Sequence, residues 1–167
     1  MKTTCYYDMS IIKFSLSEED GALTELAFVT KEQVKNGADE ETSLLRGAAL
    51  QIKQYLEGRR KEFFLPLNPQ GTEFMRLVWQ ALETIPYGET RSYKDIANQI
   101  GHHKAYRAVG MANNRNPLPI IIPCHRVIGH NGSLVGYGGG LAIKEQLLQL
   151  EQRFSLKQVA KDHADTH

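Results

Sequence analysis

The first third of the chain shows a strand-like pattern that gives way to a helical one. Residues 10–17 and 22–29 have the composition of β-strands, and the Asp-Gly pair between them is a strong hairpin signal. From Asp39 onward, apolar positions recur at helical spacing up to Gly58, a favoured helix stop; they are Leu44, Leu45, Ala48, Ala49, Ile52, Tyr55 and Leu56. The pattern predicts a small α+β unit, in which we find no catalytic constellation.

A second, mainly helical unit follows a connection at residues 59–71 that is rich in charge, proline and glycine. Residues 72–85 have one apolar face and end at a Pro-Tyr-Gly sequence, which predicts an amphipathic helix. The S-x-x-D sequence at residues 92–95 fits a capping box, so another helix is expected to begin there and to close at Gly101.

A further short helix is predicted at residues 104–114, after a tight turn, and the two short helices together predict a helix-turn-helix. On a helical wheel, one arc is apolar and consists of Ala105, Ala108, Val109 and Ala112. The opposite arc consists of Arg107, Gly110, Met111 and Asn114. One long cation beside a glycine suits a close approach to a polyanion, although a helical pair buried in a core would look similar apart from that arc.

Three isoleucines at residues 120–122 run between prolines into Cys124. We predict a short buried strand that ends at Pro123 and delivers the thiol to a turn. Cys124 has two interpretations: a small buried hydrophobe, which is the usual role of a free cysteine, or a nucleophile. His125 and Arg126 favour the nucleophile, because a proton acceptor and a fixed positive charge lower the pKa of a thiol.

The last part of the chain combines a glycine-rich segment with a helix. Glycines recur from residue 129 to residue 140 around Tyr137, in a segment suited to lining a pocket. The predicted helix at residues 141–154 carries Glu151 on its apolar arc, and a buried carboxylate needs a partner. Glu151 either reaches solvent from the edge of the arc or orients a histidine, for which His125 is the candidate. Residues 156–167 are polar and are expected to form a loose tail.

Composition narrows the possible classes of protein. The chain has 167 residues, 41% of them apolar, so we expect two small units, at residues 1–68 and 69–155. With two cysteines only, a disulfide framework and a four-cysteine zinc site are excluded, and the isolated Cys5 is expected to be structural. The chain shows no signal-peptide core and no apolar run of membrane-spanning length, which predicts a cytoplasmic protein without a membrane partner.

Charge is unevenly distributed along the chain. The net charge is +1, yet residues 90–130 contain six Lys or Arg against one Asp, and four of the six histidines. An anionic partner would therefore meet the middle of the chain, unless this segment is only a solvated basic face.

These motifs resemble the O6-alkylguanine-DNA alkyltransferases, also called methylated-DNA-protein-cysteine methyltransferases. The resemblance rests on PCHRV at residues 123–127 with NPLPIIIP before it, on RAVG at 107–110, on the series from residue 71 to residue 93 that includes IPYG, and on GYGGGLAIKE within residues 136–151. It covers the whole second unit. It implies an α+β protein: a small ribonuclease-H-like N-terminal domain, followed by a mainly helical domain with a helix-turn-helix.

The resemblance also implies a function and roles for individual residues. The expected partner is double-stranded DNA containing O6-alkylguanine, from which the alkyl group moves irreversibly to Cys124, once per molecule. In this family pattern, His125 relays a proton through water, Glu151 holds that histidine, Asn116 supports the local loop, and Tyr93 donates a proton to the departing guanine. No cofactor and no metal are expected, and the protein is expected to be a monomer.

Further positions are implied for the DNA and for the flipped base. Arg107 is expected to fill the place of the base in the stack, and the helix-turn-helix to lie in the minor groove. The expected DNA contacts are Arg107, Tyr93, Lys94, Ala105, Gly110 and His130, and the expected base pocket comprises Tyr137, Gly138 and the backbone around Val127.

The chain departs from the family pattern at two positions. Tyr106 stands where many relatives carry alanine, and Met75 replaces a frequent glutamine, both on the side expected to meet DNA. Two other functions stay open: a DNA-binding module that recognises lesions or regulates transcription without transfer, and a cysteine hydrolase that turns over. Cys124 argues against the first, and repeated product release would support the second.

Overall fold

The computed structural model describes residues 1–35 and 38–165, with side chains described up to residue 156. The N-terminal unit opens with an antiparallel sheet in the order β1-β2-β3, formed by β1 (Thr3–Asp8), β2 (Lys13–Glu19) and β3 (Ala22–Phe28). Asp20 and Gly21 join β2 to β3 with φ of 52° and 79°, as a tight hairpin turn requires. The predicted hairpin is confirmed, and β1 is an additional strand that the pattern did not show.

Two helices complete the N-terminal unit. The first, α1 (Lys31–Lys35), is short and was not predicted. The second, α2 (Ser43–Leu56), begins after Thr42, whose side chain accepts a hydrogen bond from the amide of Leu45. The predicted start near Asp39 is therefore wrong, because the threonine cap lies further along the chain. Gly58, with a φ of 77°, follows the end of the helix as predicted.

Three helices open the second unit. They are α3 (Glu73–Glu83), α4 (Tyr93–Gln99) and α5 (Tyr106–Asn114). Ser92 and Asp95 form the capping box predicted for α4. Both α3 and α4 pack against α5, and Trp79 fixes the first contact by donating from Nε1 to the carbonyl of Ala112 at 2.9 Å. The α4–turn–α5 arrangement is the predicted helix pair.

The isoleucine run is not a strand, which corrects the prediction made for it. Ile120, Ile121 and Ile122 are 1%, 6% and 1% exposed, but their backbone turns, with a φ of 74° at Ile120. A β-branched residue rarely adopts that conformation, and a strand cannot contain it. Prolines at 117, 119 and 123 leave few backbone donors for a sheet. The segment leads into a single 3₁₀ turn at Cys124–Arg126.

Beyond this turn, β5 (Val127–Ile128) pairs in parallel with β4 (Arg91–Ser92), and a loop then leads to α6 (Leu141–Asp165). The expected loose tail from residue 156 is wrong up to residue 165, because the helix continues there. No glycine or proline follows Gly140, so the sequence contains no residue that would end α6 early.

The two units share one continuous apolar core. The edge of β3 is covered by two later segments of the chain: the amide of Leu26 donates to the carbonyl of Pro117 at 2.8 Å, and Leu23 forms a parallel bridge with Leu67 of the connecting segment. This contact places the sheet edge against the segment that precedes Cys124. Within the described residues, no helix is both long enough and apolar enough to cross a membrane.

Candidate active site around Cys124

Cys124 borders a cavity of about 190 Å³ between the two units. Engineered cavities of similar size accept a single aromatic ring, so the space suits a planar base. The sheet edge supplies part of the wall, and the segments around Cys124 supply the rest; the lining residues are Leu26, Ala27, Phe28, Asn113, Asn114, Asn116, Pro119, Cys124, Gly136, Tyr137 and Gly138. The expected pocket residues Tyr137 and Gly138 are among them, and Val127 is not.

Asparagine side chains fix the backbone that carries the thiol. Asn116 donates from Nδ2 to the carbonyl of Ile122 at 2.8 Å and accepts from the amide of Leu118 at 2.9 Å. Asn113, at the end of α5, donates to the carbonyl of Cys124 at 3.4 Å. The turn is therefore held from both sides, and Asn116 lies where a support for the local loop is expected. Asn113 was not predicted.

The thiol of Cys124 is not acidified by its surroundings, which corrects the expectation of a lowered pKa. Cys124 is 4% exposed, and burial raises its pKa to about 11. The hydrogen bond from Asn116 and the charge of Lys144 act in the opposite direction without offsetting burial. At neutral pH the thiol is therefore protonated, and it becomes a nucleophile only when a neighbouring base takes its proton.

A buried histidine next to the thiol can serve as that base. His125 is fully buried, and its Nε2 lies 2.6 Å from Oε2 of Glu151. Burial lowers the pKa of His125, so the ring is neutral at neutral pH, and Nε2 carries the proton because an ionised carboxylate only accepts. The second nitrogen, Nδ1, is buried and has no hydrogen-bond partner within the described part of the chain. Nδ1 is thus free to accept a proton.

Glu151 is 1% exposed, so the carboxylate lies within the core and not at its edge. Two groups donate to Oε1 (the amide of Gly88 at 3.0 Å and Nε of Arg126 at 2.8 Å), and three donate to Oε2 (Tyr55, His125 and Nη2 of Arg126). Burial raises the pKa of Glu151, but the hydrogen bond from His125 and the charge and hydrogen bonds of Arg126 outweigh it and lower the pKa to about 2. Glu151 is therefore ionised and fixed in position.

Arg126 belongs to the framework of this site. Besides its two bonds to Glu151, it donates from Nη1 to the carbonyl of Ile85 at 2.6 Å, and its side chain is 7% exposed. Its charge offsets that of Glu151, as a buried carboxylate requires. These contacts give Arg126 a structural role.

Lys144 is a residue of the site that the sequence analysis missed. It is fully buried, and Nζ donates at 2.7 Å to the carbonyls of both Val127 and Val135. Burial lowers its pKa to about 8. The carbonyl of Val127 thus helps to brace the loop, but Val127 does not line the cavity. A helical wheel could have predicted the burial of Lys144, because Lys144 lies three positions before Leu147 and seven before Glu151 on one face of α6.

Two tyrosines face the same region. Tyr93 donates from its hydroxyl to the carbonyl of Val135 at 3.1 Å, and the buried hydroxyl of Tyr137 has no partner among the residues described. Burial, followed by the charge of a Cys124 thiolate, raises the pKa of each, so both phenols stay protonated. Tyr93 therefore keeps its proton, which it donates to Val135, and unlike Tyr137 it is not among the residues that line the cavity.

The outward face of α5 is exposed and basic. Arg107 is exposed, and the ring of Tyr106, which is 38% exposed, lies 6.0 Å from Cζ of Arg107 and 5.5 Å from Nζ of Lys94. Ala108 is exposed, which corrects its placement on the buried arc.

The other positions expected to meet DNA lie as follows. Gly110 borders the ring of Tyr93, because a Cβ placed there would lie 3.7 Å from it. Ala105 is half-buried just before α5, and His130 is exposed in the loop after β5. Met75 is half-buried on α3. No cluster of three or more metal-binding side chains occurs in the described ranges.

Comparison with known proteins gives consistent matches for both units. Residues 4–69 match the family model described as 6-O-methylguanine DNA methyltransferase, ribonuclease-like domain, and residues 73–153 match its DNA binding domain. A methylated-DNA--protein-cysteine methyltransferase of Methanosarcina barkeri is 50% identical over 153 residues, covering 88% of this chain and 97% of the relative.

Solved structures give the same result. The O6-methylguanine methyltransferase of Mycobacterium tuberculosis superposes with a TM-score of 0.82 at 44% identity, over 92% of this chain and 94% of the other. OGT of the same organism in complex with DNA superposes with a TM-score of 0.79 at 43% identity, over 90% and 93% of the two chains.

Proposed function

Because the chain belongs to the 6-O-methylguanine DNA methyltransferase family, we propose that it repairs DNA by moving an alkyl group from O6 of guanine to the sulfur of Cys124. The position of Cys124 is the observation that supports this residue as the acceptor. Cys124 borders a base-sized cavity, and the next residue, His125, forms a buried pair with Glu151.

The reaction is a single displacement at the alkyl carbon. The thiol proton passes to Nδ1 of His125 through a bridging water, the sulfur forms a bond to the carbon, and the bond from that carbon to O6 breaks. The guanine leaves with the electron pair and takes a proton from Tyr93, which is protonated at neutral pH and exchanges its hydrogen bond to the Val135 carbonyl for one to the base. Because the thioether has no easy route back to a thiol, each molecule reacts once.

The base must leave the duplex to reach this sulfur, since Cys124 is buried behind the sheet edge and the glycine-rich loop. The exposed start of α5 supports an approach through the minor groove, with Arg107 occupying the space of the flipped base. We also place DNA contacts at Lys94, Tyr93, Ala105, Gly110 and His130. The exposed charges of Arg107 and Lys94 suit the phosphate backbone.

The remaining parts of the proposal concern cellular setting and assembly. We propose a cytoplasmic monomer. Two free cysteines, Cys5 and Cys124, fit a reducing compartment, and the pocket is completed by residues of one chain.

A titration of repaired guanine against protein concentration tests the function. We expect methyl transfer from a duplex containing O6-methylguanine to stop at one methyl group per protein molecule. Product that accumulates beyond the protein concentration would instead identify a cysteine hydrolase. Tight binding of the damaged duplex without any transfer would identify a lesion-binding module.

A further inference from the structure

Tyr55 links the N-terminal unit to the proton relay. It lies near the end of α2, 96 positions before Glu151, and its side chain is fully buried. Its hydroxyl donates to Oε2 of Glu151 at 2.5 Å and lies 3.3 Å from Nε2 of His125. No step of the reaction proposed above uses this phenol, although it touches both members of the buried pair.

The direction of the hydrogen bonds follows from the charge of the carboxylate. Oε2 receives the hydroxyl of Tyr55, Nε2 of His125 and Nη2 of Arg126. An ionised carboxylate only accepts, so the phenol and the imidazole both donate to it. Burial and the charge of Glu151 raise the pKa of Tyr55 well above its ordinary value, so the phenol keeps its proton throughout.

The ring of Tyr55 is held by its neighbours, which fixes the hydroxyl. Phe63 lies 5.5 Å away between ring centroids, and Tyr87 packs edge-on at 6.2 Å. These rings come from the connecting segment and from the turn after α3. A donor held this closely limits rotation of the Glu151 carboxylate, and hence of the histidine bonded to it.

We propose that Tyr55 is a positioning residue for alkyl transfer: its hydroxyl fixes the carboxylate of Glu151, so that His125 keeps its proton on Nε2 and leaves Nδ1 free for the thiol proton. The inference rests on the proposed function and deepens it, because it makes the N-terminal unit part of the relay. The same bond spreads the negative charge of Glu151, which weakens the attraction of that carboxylate for a second proton on His125.

Loss of the hydroxyl therefore has a predictable sign. The titratable and charged groups around the pair are Tyr55, Tyr87, Cys124, Arg126, Tyr137 and Lys144. In a Tyr55→Phe variant the charge of Glu151 is less stabilised, so the pKa of His125 rises. The base is then protonated at a higher pH, and the acid limb of the pH–rate profile moves upward.

The test compares Tyr55→Phe with Tyr87→Phe as a matched control. Tyr87 also has a buried hydroxyl, but that hydroxyl has no partner among the described residues. The single-turnover rate of methyl transfer from saturating duplex is measured against pH, together with duplex Kd, thermal stability and the NMR titration of His125. For Tyr55→Phe we expect a rate about tenfold lower, an unchanged Kd, and upward shifts of the acid limb and of the His125 pKa. Tyr87→Phe should match the wild type.

Several outcomes would overturn the inference. A Tyr55→Phe protein with the wild-type rate and pH profile would do so. A slower variant with lower stability but an unchanged pH profile and His125 titration would also do so, because it would reveal a purely structural tyrosine. Failure of the proposed function looks different: the wild-type protein itself would then transfer no methyl group, while the His125 titration would still report on Tyr55.

Discussion

Cys5 and Cys124 are both 4% exposed, and in both burial raises the thiol pKa, yet their surroundings differ. Around Cys5 the charged groups are acidic: Glu41, Asp39 and Glu18 each raise its pKa further, and a hydrogen bond with Tyr7 lowers it without offsetting them. Its thiol donates to the carbonyl of Asp39 at 3.3 Å. Around Cys124, a hydrogen bond from Asn116 and the charge of Lys144 lower the pKa, and the next residue carries an imidazole nitrogen without a hydrogen-bond partner among the described residues.

Burial alone therefore does not distinguish a structural cysteine from a reactive one. What differs is whether the surroundings stabilise a thiolate and offer a place for its proton. Cys124 also borders a cavity, whereas Cys5 lies within β1 of the sheet. The reactivity of Cys124 therefore depends on the His125–Glu151 pair.

The largest effect is expected from replacing the sulfur of each cysteine with oxygen. Cys124→Ser should abolish methyl transfer while leaving binding to the damaged duplex intact, because serine keeps the size of the side chain and removes the nucleophile. Cys5→Ser should transfer at the wild-type rate. Transfer is measured as the labelled methyl group bound to the protein. Retained transfer in Cys124→Ser would show that Cys124 is not the acceptor.

Removal of the buried carboxylate should come next. Glu151→Gln leaves Arg126 without its ionic partner, and breaking a buried ion pair costs about 3 kcal/mol of unfolding free energy. Methyl transfer should also slow, because the amide no longer fixes the histidine. The exposed Glu145→Gln on the same helix is the control. Denaturant unfolding and single-turnover rates give both readouts, and equal stability of the two variants would contradict the assignment.

Acid should destabilise the fold in two ranges of pH. The pKa of His125 is below its ordinary 6.5 in the folded protein, so the unfolded chain binds the proton first and stability falls as the pH drops below about 6.5. The pKa of Glu151 is lowered from 4.5 to about 2, so its contribution is lost between these values. Unfolding free energies measured against pH check this prediction. The Glu151→Gln variant should show no loss of stability from this carboxylate in the lower range.

A smaller effect is expected from Lys144→Met. The variant loses the charge that lowers the pKa of Cys124 and the bonds that brace the loop, so transfer should slow by about tenfold. The alkylation rate of Cys5 should not change. The exposed Lys53→Met on α2 is the control. A Lys144→Met protein whose Cys124 reacts at the wild-type rate would show that Lys144 does not assist the transfer.

The smallest effect is expected on the other cysteine. Glu41→Gln removes the acidic neighbour that, after burial, does most to raise the pKa of Cys5. Alkylation of Cys5 by iodoacetamide should therefore rise modestly at a given pH, with Cys124 unaffected. Peptide mapping separates the two thiols, and a slower reaction at Cys5 would show that its acidic neighbours do not act as described.

The sequence predicted the elements that carry local signals. The Ser92–Asp95 box and the Asp-Gly turn determine where chain segments begin and turn, and both appear as expected. The position of Glu151 on the apolar arc also followed from helical spacing, which left open whether its carboxylate reached solvent. Such features depend on neighbours a few positions away, so a linear pattern is enough to find them.

The incorrect predictions concern features that tertiary contacts determine. A short apolar run does not reveal by periodicity whether it forms a strand or a buried turn, and Ile120–Ile122 form a turn. The pKa of Cys124 depends on how deeply the fold buries it. Tyr55 was placed correctly on a buried face, but its bond to Glu151, 96 positions away, required the assembled structure.

The central claim is that Cys124, and not the equally buried Cys5, accepts the alkyl group. Peptide mass spectrometry after complete reaction with a duplex containing O6-methylguanine tests it directly, with Cys5 as the internal control. The account predicts one added methyl group on the peptide that carries Cys124 and none on the peptide that carries Cys5. Repaired DNA together with an unmodified Cys124 peptide would contradict it.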